Sequence, residues 1–203
     1  MADSDNTPVA RSLVVADPGP LGLAAFAATT FILSVFNAGI VPASVEPVVF
    51  GVALFYGGIA QLLAGAFEFL KGNLFGATAF CSYGGFWMAF WYLTTHPEHF
   101  SAEGAANKAT GVGVFLLAFT IFTAYMTVAV TRVNAGLTFT FTVLLIAFLG
   151  LTVGDLAGIE AATRVGGWFG LAASLGAWYC SAAGVLSFTF GRSVLPIGAA
   201  KRR

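Results

Sequence analysis

Gln61, Glu68, Thr78, Ser82 and Tyr83 fall within FYGGIAQLLAGAFEFLKGNLFGATAFCSYG (55–84), a stretch otherwise made almost entirely of apolar and small residues. Their amide, carboxyl and hydroxyl groups can bind a small polar solute, and a carboxyl can carry a proton. Hydrocarbon does not tolerate such groups unless they face other helices or a water-filled path, so they mark where a solute would move. Bond-breaking chemistry has no comparable support. The two histidines, His96 and His99, lie with Glu98 and Glu103 in a polar segment, and the chain contains no HExxH, no GxSxG and no pair of intramembrane aspartates. The sequence therefore predicts neither an enzyme nor a metal or cofactor site. The histidine segment reads as a solvated loop or as a sensor of external pH, since imidazole titrates near neutrality.

The elements that hold these groups are set by composition. Of 203 residues, 58% are hydrophobic and 9% charged, against about 25% charged in a soluble domain. So few charges cannot clothe a water-facing surface. The apolar residues fall in blocks of about 20, which at ~1.5 Å per residue cross a ~30 Å hydrocarbon core. The fold class predicted is an all-α integral membrane protein of one domain. A net charge of zero argues against a nucleic-acid partner. Cys81 and Cys180 sit in apolar runs and behave as small apolar residues, with no disulfide framework or zinc spacing.

Six transmembrane helices are predicted, over 21–40, 48–70, 74–95, 109–130, 135–154 and 166–190, within a transmembrane domain of 17–198. Residues 1–16 form a polar tail whose apolar patch is too short for a signal peptide, and 199–203 form a basic tail. Asp17-Pro18-Gly19-Pro20 opens the first helix, the prolines suiting a helix start and Asp17 suiting a cap. Segments 42–47, 96–108 and 155–165 are read as loops. Six spans put Arg11, Lys71, Arg132, Arg192, Lys201, Arg202 and Arg203 on the side of the termini, and Lys108 and Arg164 on the other. This asymmetry predicts that both termini are cytoplasmic.

Small residues recur at helical spacing in Gly166, Gly170 and Ser174, in Ala173, Ala177 and Ser181, in Ala60 and Ala64, and in Gly150, Gly154 and Gly158. Such stripes pack helices closely in lipid, or pack subunits together. Trp87, Trp91, Tyr92, Trp168 and Trp178 include candidate interfacial anchors. An aromatic ring within a polar path would instead form a hydrophobic constriction that resists ions. Glu68 reads either as structural, in a salt bridge with Lys71 three residues on or in a helix-end role, or as taking a direct part in proton or substrate movement. Asn73 and Gln61 share that ambiguity.

Taken together, the motifs resemble those of the acetate uptake transporter family, also called the succinate-acetate permease family. The family's entry signature, Asn-Pro-Ala-Pro-Leu-Gly-Leu, reads here Asp17-Pro18-Gly19-Pro20-Leu21-Gly22-Leu23, with Phe26 following. Phe55-Tyr56-Gly57-Gly58-Ile59-Ala60-Gln61, Ala64-Gly65 through Glu68, Lys71-Gly72-Asn73, Thr78-Ala79-Phe80, Ser82-Tyr83-Gly84 and Phe86-Trp87 continue it, and Phe190-Gly191-Arg192 and Leu195-Pro196-Ile197-Gly198 close it. The resemblance covers about residues 17–198. It implies a homohexameric ring with one pathway per subunit, and transport of acetate and sometimes succinate, generally with protons. It also implies a hydrophobic constriction at Phe26, Tyr83 and, counting from Arg132, Phe141. Polar groups of the path would be Thr29, Thr30, Gln61 and Ser82, with Glu68 and Asn73 in a proton or structural role.

Two departures from the family pattern carry consequences. Asp17 replaces asparagine and adds a negative charge near the cytoplasmic mouth, which disfavours anions. Phe141 replaces the usual leucine, and a narrower path would favour acetate over succinate. Acetate resembles the Glu side chain, with a pKa near ~4.3, so it is mostly anionic at neutral pH. With no Lys or Arg deep in a span, its passage is expected to depend on helix ends, hydroxyls and an accompanying proton or the protonated acid. The expected function is proton-linked transport of acetate, other small monocarboxylates or succinate across the plasma membrane, by symport or as an anion channel. The alternatives are a channel for small neutral solutes such as urea or amides, and a non-transporting membrane sensor.

Overall fold

The computed structural model describes residues 15–99, 101, 104 and 107–198. The N-terminal tail through residue 14, the basic tail 199–203 and Glu103 lie outside the described residues, as do Arg11, Lys201, Arg202 and Arg203. The described chain is built from six long helical rods: α1 (Gly19–Asn37), α2 (Val48–Leu70), α3 (Leu74–Thr95), α4 (Lys108–Val130), α5 (Ala135–Ala157) and α6 (Glu160–Phe190). Short 3-10 turns at Ala43–Val45 and Pro97–His99 lie between α1 and α2 and between α3 and α4. All rods except α3 are long and apolar enough to cross a membrane. At 22 residues α3 spans about 33 Å. Its Thr, Ser, Tyr, Trp and Gly content makes it less apolar than the rest.

Local chemistry sets the ends. Asp17 Oδ1 accepts the Gly19 amide at 2.9 Å, so the acid serves the first turn of α1 from two residues upstream, with Pro18 at the N-cap position. Asn73 and Asn134 cap α3 and α5 by accepting the amides of Gly76 (3.2 Å) and Leu137 (2.8 Å). Gly158 and Gly191 end α5 and α6 in the left-handed region, at φ 66° and 64°, where a side chain would be strained. The expected loop over 155–165 is thereby corrected. Only Gly158 and Ile159 separate α5 from α6, because a left-handed glycine reverses the chain without a longer connection.

α6 packs along both α5 and α1, α4 packs on α5, and α2 pairs with α3. The glycine stripes set the spacing. A Cβ on Gly167 would lie 2.6 Å from the Asn37 carbonyl carbon and against the Ala38 backbone, and one on Gly150 would lie 2.9 Å from the Gly166 Cα. Close approach of this kind substitutes for the hydrophobic drive that lipid removes. Threonines inside the helices return their hydroxyls to the preceding turn, as Thr29 does to Ala25, Thr120 to Leu116 and Thr140 to Gly136, each at 2.9 Å, leaving few bare donors for lipid. One irregularity stands out within α2: residues Ala53–Ala60 form a π-helical stretch. Gly57 and Gly58 sit there, and a Cβ on Gly57 would lie 2.7 Å from Thr29 Oγ1 and 2.8 Å from Trp87. The widened turn and the missing side chain bring α1, α2 and α3 together, with Gln61 fully buried one turn on.

Candidate functional site

Three aromatic rings from three helices meet in the core. The Phe26 and Tyr83 centroids are 5.7 Å apart, and Tyr83 and Phe141 are 6.2 Å apart, both in the range of favourable ring contact. All three side chains are buried. Phe148 stacks on Tyr83 at 6.3 Å and Phe122 meets its edge at 5.3 Å. The Tyr83 hydroxyl shares a 2.8 Å hydrogen bond with Thr123, which fixes the ring from α4.

A cavity lies to either side of this cluster. The wider, of about 710 Å³, is lined by residues adjoining the ends of α1, α2, α3, α5 and α6, including Asp17, Pro20, Glu68, Lys71, Asn73 and Phe75, and it reaches Phe141. The narrower, of about 40 Å³, is lined by Phe26, Thr30, Ser34, Asn37, Tyr83, Trp87, Leu144 and Phe148 among others, with no charged side chain. That is room for a few waters. On α5, Phe141 and Leu144 stand one turn apart, the first lining the wide cavity and the second the narrow one. Beside the narrow cavity, Thr30 Oγ1 and Trp87 Nε1 are buried without a hydrogen-bond partner, as are both amide atoms of Gln61.

The entry residues are fastened over the wide cavity. Ser181 Oγ donates to the Pro20 carbonyl at 2.7 Å, and Gly184 gives room for the Pro20 ring, whose Cγ would lie 2.8 Å from a Cβ there. Gly22 does the same for the Phe80 ring, at 2.7 Å. Pro18 is buried and Leu21 exposed. Lys71 bridges to Asp17 at 2.7 Å, and Glu68, fully buried, accepts from Asn73 Nδ2 at 2.8 Å. Of the two structural readings of Glu68, this corrects the salt bridge with Lys71 and leaves the helix-end role. Lys71 follows the end of α2 and reaches out to the α1 entry, whereas Glu68, one turn earlier, turns inward to the cap of α3.

Of the polar residues expected along a path, Thr30 lines the narrow cavity. Thr29 instead bonds the Ala25 carbonyl and lies 3.4 Å from that of Val52, and Gln61 is buried between helices. Ser82 is half-buried on α3 and lines neither cavity. Trp87 is core rather than an interfacial anchor, while Trp168 is exposed. His96 and His99 stack at 5.4 Å, with Tyr92 Oη 2.6 Å from His99 Nδ1. No group of three or more His, Cys, Asp or Glu suited to a metal occurs among the described residues. Leu144, Phe148, Thr123 and the Asp17–Lys71 bridge escaped sequence reasoning. Only the helical spacing of Phe141, Leu144 and Phe148 could have signalled one common face.

Such an arrangement defines a multi-pass helical membrane protein organised around an uncharged aromatic cluster between two cavities. The chain belongs to the GPR1/FUN34/yaaH family, whose profile matches residues 5–196. Membership places it among membrane transporters and channels rather than enzymes. It is 38% identical to the succinate-acetate/proton symporter SatP of Escherichia coli (strain K12), over 91% of this chain and 96% of that one. It is 42% identical to accumulation of dyads protein 2 of Saccharomyces cerevisiae over 84% of this chain, and it spans about three fifths (61%) of that longer protein. The structure of the bacterial acetate channel SatP superposes with a TM-score of 0.83 at 38% identity, covering 91% of this chain and all of that one.

Proposed function

We propose that this protein moves acetate and other small monocarboxylates across the plasma membrane, with succinate as a poorer substrate, and that a proton travels with the solute. The observation that carries this reading is the closure of Phe26, Tyr83 and Phe141 between a charged vestibule and a charge-free narrow cavity. A carboxylate crossing that closure would lose its hydration with no cation to replace it, at a cost of several kcal/mol. The protonated acid avoids that cost. Six membrane-crossing helices with cytoplasmic termini, assembled as a hexamer, complete the proposal. The wide cavity then opens to the cytoplasm, and α3, carrying Tyr83, crosses the membrane as part of the pathway wall. Thr30 and Trp87 supply hydrogen bonds on the far side of the rings.

An uncharged path also suits a neutral solute, so the deciding experiment compares the two. Purified protein in liposomes is given labelled acetate or urea, with and without an imposed proton gradient. The expected result is acetate accumulation above equilibrium only with the gradient and beyond protein-free liposomes. Equilibration indifferent to the gradient would mean a channel without coupling, and urea flux without acetate flux would overturn the substrate.

A further inference from the structure

Among the described residues lining the wide cavity, Lys71 is the only cation, and Asp17 and Glu68 are the only acids. Lys71 Nζ contacts Asp17 Oδ1 at 2.7 Å, and the same oxygen accepts the Gly19 amide at 2.9 Å. These two donors, an ammonium and the first amide of a helix, are the kind that receive a carboxylate. In this chain a tethered carboxylate of its own already holds them.

We propose that Asp17 is a specificity-determining residue, which occupies Lys71 and the start of α1 and so withholds them from incoming anions, biasing the vestibule against dicarboxylates. The inference rests on the transport reading above. Its sign follows from charge counting. With Asp17 and Lys71 neutralising each other, the remaining acid of the cavity is Glu68, held by Asn73 at 2.8 Å. A monoanion meets that balance once and a dianion twice. Removing the charge of Asp17 makes the cavity more positive by one unit, so succinate gains about twice the electrostatic benefit that acetate does. The expected charge at Asp17 is thus not a bare repulsive group at the mouth. It acts chiefly by cancelling the charge of Lys71.

The test measures initial uptake of labelled acetate and succinate, at one fixed pH, by the full-length chain in liposomes. The variants are Asp17→Asn, Asp17→Glu, Lys71→Gln and the double variant Asp17→Asn/Lys71→Gln. Asp17→Asn is expected to raise the succinate-to-acetate ratio roughly fivefold, and Lys71→Gln to lower it by a similar factor. The double variant returns near the wild-type ratio, Asp17→Glu keeps it, and added salt compresses the differences. A merely structural bridge would instead lower both fluxes together in either single variant and leave their ratio alone. Acetate flux with a ratio that stays within about twofold of wild type in both single variants would overturn the inference while leaving the transport reading intact. If Asp17→Asn does not fold, the fall predicted for Lys71→Gln decides alone. Absence of acetate flux through the wild-type chain would overturn the reading and the inference together.

Discussion

In the proposed pathway Tyr83 closes the path with its ring and holds its place with its hydroxyl, and the two roles separate by substitution. Tyr83→Phe keeps the ring but leaves Thr123 without its 2.8 Å partner. It should cost about 1 kcal/mol of stability, read by thermal melting in detergent, and leave acetate flux within a few-fold. Tyr83→Ala removes a ring packed on Phe26, Phe122, Phe141 and Phe148. It should cost roughly 3–5 kcal/mol and admit succinate and bulkier acids at higher rates. A folded Tyr83→Ala protein with unchanged selectivity would remove the ring from the constriction. At the opposite end of the molecule, partial burial of Glu46 between α1 and α2 pushes its carboxyl up, with Lys108 drawing it partly back. The folded protein therefore binds this proton more tightly than the unfolded one, and its stability rises as pH falls from neutral through that raised value. Wild type should accordingly gain melting temperature relative to Glu46→Gln on acidification. An offset between the two that does not change with pH would contradict it.

Helix ends and helix contacts carry different residues, and the glycines show why. Gly167 has no alternative, because a Cβ there would meet the backbone of Asn37 and Ala38, which cannot swing aside as a side chain can. Gly167→Ala should force α1 and α6 apart and cost about 1–3 kcal/mol, seen as a lower melting temperature and lower folded yield. Gly85, on α3, has open space around its missing Cβ. Gly85→Ala should be neutral or slightly stabilising, since alanine favours helix by up to ~1 kcal/mol. Equal tolerance at both positions would mean that α1 and α6 do not rely on glycine for their approach. The π-helical stretch in α2 belongs to the same scale. Its widened turn places Gly57 against Thr29 and Trp87, so the aromatic core and the backbone irregularity are parts of one packing solution.

For the whole molecule, the arrangement puts charge at the ends and aromatic surface between them. The Asp17–Lys71 and Glu160–Arg164 bridges lie near helix termini, while the narrow cavity is lined without a charge. If the protonated acid is the species that passes the rings, acetate uptake by cells carrying the protein should rise as external pH falls and collapse when an uncoupler is added. Uptake independent of both would require the anion to pass the rings, and with it a cation that the lining of the narrow cavity does not provide.

The sequence by itself determined the membrane setting, the helices and most of their ends, because hydrocarbon permits long apolar helices and because Pro, Asn and Gly act locally to start and stop them. It also placed Phe26, Tyr83 and the entry residues on a recognisable pattern. It misplaced the connection over 155–165, since a single left-handed glycine does locally what polar composition suggested a loop would do. Only the tertiary structure decided that Lys71 reaches Asp17 rather than Glu68, that Gln61 and Thr29 pack between helices while Thr30 borders the narrow cavity, and that Leu144 and Phe148 join the aromatic core. Partners 54 residues apart, as Asp17 and Lys71 are, leave no trace in periodicity. Which face of an almost uniformly apolar helix turns inward is settled by packing against its neighbours, not by the contrast between polar and apolar residues that orients helices in water.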